Sequence, residues 1–291
     1  MMKTRLKLFL LTLVMVGLLS TVSLGFAHRE NEVTETTITL DNGVVGTLAM
    51  PASETPVPAV LMLHGFASVR DEVGDMFKRL AAELGERGIA SLRIDFRGWG
   101  ESAGEMTDST VSGMVEDAAA AYEYLSATDG VDAERIGVVG FSLGGSIAVF
   151  SAGENPDSYQ SLVLWSAPGS LLDAFMAGFG QENFDTAAAE GEVTIDLGFR
   201  IVTLGNDFFT GLEDYDYQEE FAKYEGAFLV VAGAEDSSAH FLDWYRENAQ
   251  GDLKASYLVD GADHIYNVLS SDQTNSNAVI EKTADWFVMT L

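Results

Sequence analysis

Ser142, within Gly140-Phe141-Ser142-Leu143-Gly144, has a setting suited to covalent chemistry. A serine hydroxyl is a weak nucleophile at neutral pH. It needs a base within hydrogen-bond reach, a group that orients the base, and N–H donors for the oxyanion that forms. An apolar run over 135–139 leads into the pentapeptide and a helix-forming stretch over 146–151 leads out, so strand, sharp turn and helix succeed one another. Side chains two positions either side of the serine would collide inside such a turn, which gives Gly140 and Gly144 a reason, while Gly145 lets helix and strand approach. The helix start also offers free N–H groups and a positive dipole end. A bare G-x-S-x-G equally suits a glycine-rich turn with a capping serine, so the other residues must decide.

The chain has four histidines, His28, His64, His240 and His264. In a strand–turn–helix serine site on a parallel sheet, the chain order is Ser, acid, His, each beyond a strand's carboxyl end. His264 follows the apolar run over 255–259 and fits as the base. His64 precedes the serine and reads as a structural loop residue, His28 falls at the N-terminal segment, and His240 sits on an expected helix just after the acid. The run over 228–232 ends in Gly233-Ala234-Glu235-Asp236, and either carboxylate there is able to accept from an imidazole. Asp263 adjoins His264, which makes the required side-chain geometry awkward. The oxyanion donors are expected to be the backbone N–H of Leu143 and that of Phe66, in the loop after the apolar run 59–63. Asp95 and Arg97, at another strand end, are expected to pin their loop, and Trp99 to line the pocket rim.

These residues need a scaffold that brings several strand ends together. Residues 36–40 and 44–50 alternate as a hairpin around Asp41-Asn42-Gly43. The continuous apolar run 59–63 suits a strand buried on both faces. Val73, Met76, Phe77, Leu80, Ala81 and Leu84 fall on one face of a helix over 71–88, which Gly88 stops. A strand over 89–94, a helix over 111–126 and strands over 135–139 and 162–165 follow. From 168 to 225 the rhythm breaks into an aromatic-rich, acidic stretch whose only cations are Arg200 and Lys223. Alternation then resumes with a strand over 228–232, a helix over 239–248, a strand over 255–259 and a helix over 277–289. This pattern predicts an α/β fold with a mostly parallel sheet and helices on both faces. Its core spans 28–167 and 226–291, and the insertion 168–225 covers the site as a cap.

The composition excludes some partners. Sixteen Lys+Arg against 45 Asp+Glu give a net charge of −29, whereas nucleic acid and anionic membranes call for a basic footprint. With no cysteine, disulfides and thiolate chemistry are absent. Serine chemistry requires no cofactor or metal, and Asp214, Asp216 and Glu219 lack EF-hand spacing and read as a solvated acidic face. Lys3, Arg5 and Lys7, the apolar run 8–19 and Gly25-Phe26-Ala27 match an export signal over 1–27. Cleavage would leave a periplasmic or extracellular protein without stable membrane association. An uncleaved segment would be an anchor.

With these residues in view, the chain resembles the α/β-hydrolase superfamily over roughly 36–291. The resemblance rests on His64-Gly65-Phe66, Asp95-Phe96-Arg97-Gly98-Trp99-Gly100-Glu101-Ser102, Gly140 to Gly145, Gly233 to Asp236, and Gly261-Ala262-Asp263-His264. It is most similar in flavour to bacterial cinnamoyl (feruloyl) esterase-like carboxylesterases. The resemblance implies Ser142 as nucleophile, His264 as base and Asp236, in preference to Glu235, as acid. Ser237-Ser238-Ala239 stands where the family usually has a proline. The expected activity is hydrolysis of a small ester through an acyl-enzyme. The alternatives are a serine peptidase of related fold, a thioesterase, or a non-catalytic binding protein on a hydrolase fold.

Overall fold

The computed structural model describes residues 32–291. The expected export signal over 1–27, and His28, lie outside the described residues. The described chain opens with an antiparallel hairpin of β1 (Val33–Thr39) and β2 (Val45–Pro51). Its turn closes through Leu40 N–H donating to Val44 O at 2.8 Å, with Gly43 at φ 84°. There follow β3 (Val57–Leu63), α1 (Met76–Glu86), β4 (Ala90–Asp95), α2 (Val111–Ser126), β5 (Val131–Phe141), α3 (Leu143–Glu154) and β6 (Ser161–Trp165). The excursion then forms α4 (Leu171–Phe179), α5 (Gln181–Glu190), a small antiparallel hairpin of β7 (Glu192–Asp196) and β8 (Ile201–Gly205), α6 (Asn206–Thr210) and α7 (Tyr217–Lys223). The chain ends with β9 (Ala227–Gly233), α8 (Leu242–Asn248), β10 (Lys254–Val259) and α9 (Thr274–Thr290).

The main sheet runs β1-β2-β4-β3-β5-β6-β9-β10. From β4 onward neighbouring strands are parallel, and β1 and β2 extend that edge antiparallel. Strand alternation divides β3 between two apolar layers. Ala59, Leu61 and Leu63 join the layer containing α2 and α3, while Val60 and Met62 join the one containing α1 and α9. Burying an aliphatic side chain such as Leu61 contributes about 1.5–3 kcal/mol, so such continuous apolar runs hold the sheet between its helices.

Two helices start later than the apolar spacing predicts. The helix expected from 71 begins at Met76, after a 3-10 turn over Val73–Asp75. Glu72, Gly74 and Asp75 take φ of 63°, 59° and 57°, which no right-handed helix accommodates. The helix expected over 239–248 is a 3-10 turn over Ser237–Phe241 followed by α8. Within the excursion, α7 packs against α3 of the core. Asp216 caps it by accepting from Gln218 N–H at 3.0 Å and Glu219 N–H at 2.9 Å. It therefore serves as the crossover helix back to β9, and the overhanging part is α4 to α6 with the β7–β8 hairpin.

Candidate active site

β5 delivers Ser142 to the carboxyl end of the sheet. The backbone there turns at φ 53°, ψ −117°, a region costly for a residue with a side chain, before α3 begins at Leu143. Ser142 N–H is held by Trp165 O at 2.8 Å. The turn is crowded. A Cβ at Gly140 would lie 2.1 Å from Gly144 O, and one at Gly144 would lie 2.0 Å from Leu63 O.

β9 and β10 end beside this turn. Their following loops carry Asp236 and His264. His264 Nε2 lies 3.1 Å from Ser142 Oγ, and His264 Nδ1 lies 3.1 Å from Asp236 Oδ2. An ionised carboxylate only accepts, so Nδ1 carries the proton and Nε2 is left to accept from the serine hydroxyl. Asp236 is buried and His264 half-exposed. Burial pushes the Asp236 carboxyl up, but the His264 hydrogen bond and charge and the Ser238 hydroxyl outweigh it and lower its pKa to about 2. Glu235 is exposed, and the carboxylate paired with His264 is that of Asp236. Asp263 instead staples its own loop by accepting from Ile265 N–H at 3.1 Å and Asn267 N–H at 2.7 Å. His240 is exposed, its Nδ1 lying 3.1 Å from Ser237 O.

The N–H groups of Leu143 and Phe66 have no hydrogen-bond partner among the described residues. Leu143 N–H stands at the start of α3. The Phe66 N–H belongs to the same trans peptide as Gly65 C=O and points away from it. His64 fixes that peptide. Its Nε2 accepts from Phe96 N–H at 3.2 Å, so its Nδ1–H donates to Gly65 O at 2.7 Å. Burial above all keeps this imidazole neutral. Asp95 and Arg97 do pin loops. Asp95 accepts from Arg70 N–H at 2.6 Å and from the Arg70 guanidinium, and Arg97 Nε donates to Asp117 at 2.5 Å.

Trp99 is a correction. Expected at the rim, it is 2% exposed, donates Nε1–H to Ser109 Oγ at 2.7 Å and packs edge-on behind Phe66 at 5.5 Å. The cleft over Ser142 encloses about 360 Å³ and is lined by Phe66, Leu143, Pro168 and Ser237 on the core side. Its cap side is α4, through Leu171, Ala174, Phe175, Ala177, Gly178 and Phe179. Among the described residues His264 is the only ionisable side chain in this lining. Phe175, Phe179 and Phe208 of the cap meet Phe66 at 5.1, 5.6 and 5.7 Å, so the cap rests on the loop bearing one candidate oxyanion donor.

Four supporting features escaped the reading of the sequence. Glu72, buried, accepts from Gly65 N–H at 2.6 Å, Ser68 Oγ–H at 2.6 Å and Val73 N–H at 2.8 Å. Ser238 donates to Asp236 Oδ2. Ser166, at φ 48°, lies 3.0 Å from both His264 O and the Tyr266 hydroxyl, and the latter donates to Val231 O at 3.1 Å. Arg200 of the cap donates to Ala67 O at 2.8 Å. Only the spacing of Ser238 from Asp236 left any trace, where the family's proline is missing. Among the described residues no His/Cys/Asp/Glu group is arranged to hold a metal, and no helix is long and apolar enough to cross a membrane.

The family model described as serine aminopeptidase, S33, matches residues 54–181. A 31.7 kDa Escherichia coli protein from the traX-finO intergenic region is 27% identical over 193 residues, 65% of each chain, so this chain spans just under two thirds of that relative. A lysophosphatidylserine lipase of Xenopus tropicalis is 34% identical over 151 residues, 47% of this chain and 37% of the lipase. Among solved structures, ferulic acid-bound Est1E from Butyrivibrio proteoclasticus superposes with a TM-score of 0.73 at 21% identity, covering 88% of this chain and 98% of Est1E. That last likeness is one of fold. The sheet order and the superposition together show that the chain has the α/β-hydrolase fold, and residues 54–181, less than half of it, are similar to the serine aminopeptidase family.

Proposed function

We propose that this protein is an exported serine hydrolase that cleaves carboxylic esters through an acyl-enzyme. The observation that carries the reading is the pair of 3.1 Å contacts linking Ser142 Oγ, His264 and Asp236. In the first half-reaction Ser142 Oγ attacks the ester carbonyl while its proton passes to His264 Nε2. Asp236 keeps Nδ1 protonated and stabilises the imidazolium. The carbonyl oxygen becomes an oxyanion and accepts from the N–H groups of Phe66 and Leu143. Collapse of this adduct expels the alcohol, which takes the proton from Nε2. Water then repeats the sequence on the acyl-enzyme, giving the acid and restoring the serine.

The cleft lining favours an ester over the N-terminus of a peptide. An aminopeptidase must hold its substrate's ammonium group, normally with a carboxylate, and among the described residues this lining contains none. Its apolar and aromatic walls suit an uncharged acyl group. The same walls and the net charge of −29 disfavour nucleic acid as a partner.

The test is turnover of p-nitrophenyl esters of graded length and aromaticity, beside amino-acyl p-nitroanilides and acyl thioesters. Ester hydrolysis abolished by Ser142→Ala, with a fluorophosphonate adduct mapped to Ser142 in the parent protein, is the expected result. Preferential anilide or thioester cleavage would move the assignment to peptidase or thioesterase, and no turnover with no adduct would leave a binding protein. N-terminal sequencing of the protein recovered outside the cytoplasm tests export. A chain starting near residue 28 is expected, and an intact Met1 would refute cleavage.

A further inference from the structure

Arg200 sits between β7 and β8 at the tip of the cap hairpin. Its neighbours Phe199 and Ile201 are 78% and 62% exposed, so of the apolar residues at 197–201 only Leu197 packs against the apolar cluster. In this strongly acidic chain the described arginines mostly end on carboxylates: Arg70 on Asp95, Arg87 on Glu83, Arg93 on Asp71, Arg97 on Asp117. Arg200 meets no carboxylate within ion-pair distance among the described residues. Its Nη1–H instead donates to Ala67 O at 2.8 Å, and its guanidinium lies 6.0 Å from the centre of the Trp99 ring.

Both contacts bear on Phe66. Ala67 is the next residue, held at φ 58°, a conformation that a residue with a Cβ keeps only when its surroundings enforce it. Trp99 is the ring against the edge of Phe66. The upstream side of the loop is fixed from the core, by Glu72 on Gly65 N–H and His64 on Gly65 O. On the downstream side the core holds Ser68 through Glu72 and Arg70 through Asp95, and between them and Phe66 the carbonyl of Ala67 is held from the cap, by Arg200. A guanidinium there also sets a positive charge beside the loop that would face a developing oxyanion, in a molecule whose net charge of −29 opposes one.

We propose that Arg200 is a cap-borne positioning residue that holds the oxyanion-hole loop in its donating geometry and places a positive charge beside it. Its kinetic consequence rests on the ester-hydrolase reading above. Its structural consequence does not. The cap then has a part in the chemistry in addition to covering the cleft.

The experiment compares Arg200→Ala, Arg200→Gln and Arg200→Lys in the full chain by two readouts. The first is p-nitrophenyl ester kinetics together with inhibition by an aryl boronic acid, which forms a tetrahedral adduct on a serine. Removing one oxyanion donor outright costs a hundredfold or more, and a group one step behind the donor should cost about tenfold in kcat. Arg200→Ala should therefore lose about tenfold in kcat and in boronate affinity, with KM changed less than about twofold. Arg200→Lys should recover most of both, and Arg200→Gln, which keeps a donor but no charge, should fall between. The second readout is hydrogen–deuterium exchange, expected to quicken over residues 64–70 in Arg200→Ala and to be restored in Arg200→Lys. Unchanged exchange over 64–70 would overturn the proposal, as would a quickening spread over the whole cap or a loss confined to KM. If the parent protein cleaves no ester, the exchange readout still decides the loop-holding role, and only the hydrolase reading falls.

Discussion

Glu72 offers the sharpest test of how the loop after β3 is built. The carboxylate is buried and accepts three hydrogen bonds, two from backbone N–H groups and one from Ser68. Glu72→Ala removes all three. Water is able to replace Glu72 at the partly exposed Ser68 and Val73. Gly65 is buried, and leaving its N–H unpaired costs about 1–3 kcal/mol. Adding the loss of two bonds to a charged acceptor, discounted for that hydration, gives about 3 kcal/mol. For a domain of this size that is a fall in Tm of about 6–12 °C. Glu72→Gly should be milder than the alanine variant by up to about 1 kcal/mol, because glycine takes φ 63° without strain. Since Gly65 N–H and the peptide bearing Phe66 N–H are neighbours, kcat on a p-nitrophenyl ester should also fall about tenfold, well below the melting range. The assays are circular dichroism melts and initial rates for the parent and the Ala, Gly and Gln variants. An alanine variant with parental Tm and kcat would refute the reasoning. So would a glycine variant clearly less stable than the alanine one.

Three further outcomes follow from the same geometry. The Asp236 carboxyl is held near pKa 2 in the folded protein, below its unfolded value. Its stabilising contribution is therefore complete above about pH 4 and is lost as pH falls toward 2. Asp236→Asn should flatten that part of the acid-unfolding curve and sharply lower kcat at neutral pH, and an unaltered acid limb would contradict the assignment. Gly144→Ala should destabilise by several kcal/mol or prevent folding, because its methyl would meet Leu63 O at 2.0 Å, and a melt within a degree of the parent would show the turn to be more yielding. Gly178 lines the cleft on α4 and a Cβ there meets nothing within 4 Å. Gly178→Leu should leave Tm within about 2 °C and shift preference toward shorter acyl chains, which the p-nitrophenyl ester series reads directly.

The sheet and the serine turn were legible because local sequence carries them. Apolar runs such as 59–63 have no stable place except between two helix layers, and the crowding around Ser142 admits glycine at 140 and 144. The chain order that singled out His264 and the acid loop depends only on which strand end follows which. The remainder depends on partners distant in sequence. The late start of α1 comes from a carboxylate reaching back to Gly65 N–H, so helical spacing alone could not reveal it. Ser166 and Arg200 act on backbone carbonyls, which leave no mark in a sequence. Trp99 failed for a related reason. An aromatic residue just beyond a strand end reads the same whether it walls a cleft or backs the residue that does.

The excursion between β6 and β9 leaves the pairing of those strands untouched. Their register, from Ser161↔Ala227 to Trp165↔Val231, is closed by residues on either side of it, and α7 returns the chain along α3. Lengthening, trimming or replacing the overhang therefore need not slip a strand, and of the loops beneath it is the one at Phe66 and Ala67 that feels the change. Descendants of such a protein can diverge in what they admit while inheriting one reaction apparatus. Chimeras that exchange residues 170–210 between relatives should refold, provided the newcomer brings its own grip on the loop at Ala67.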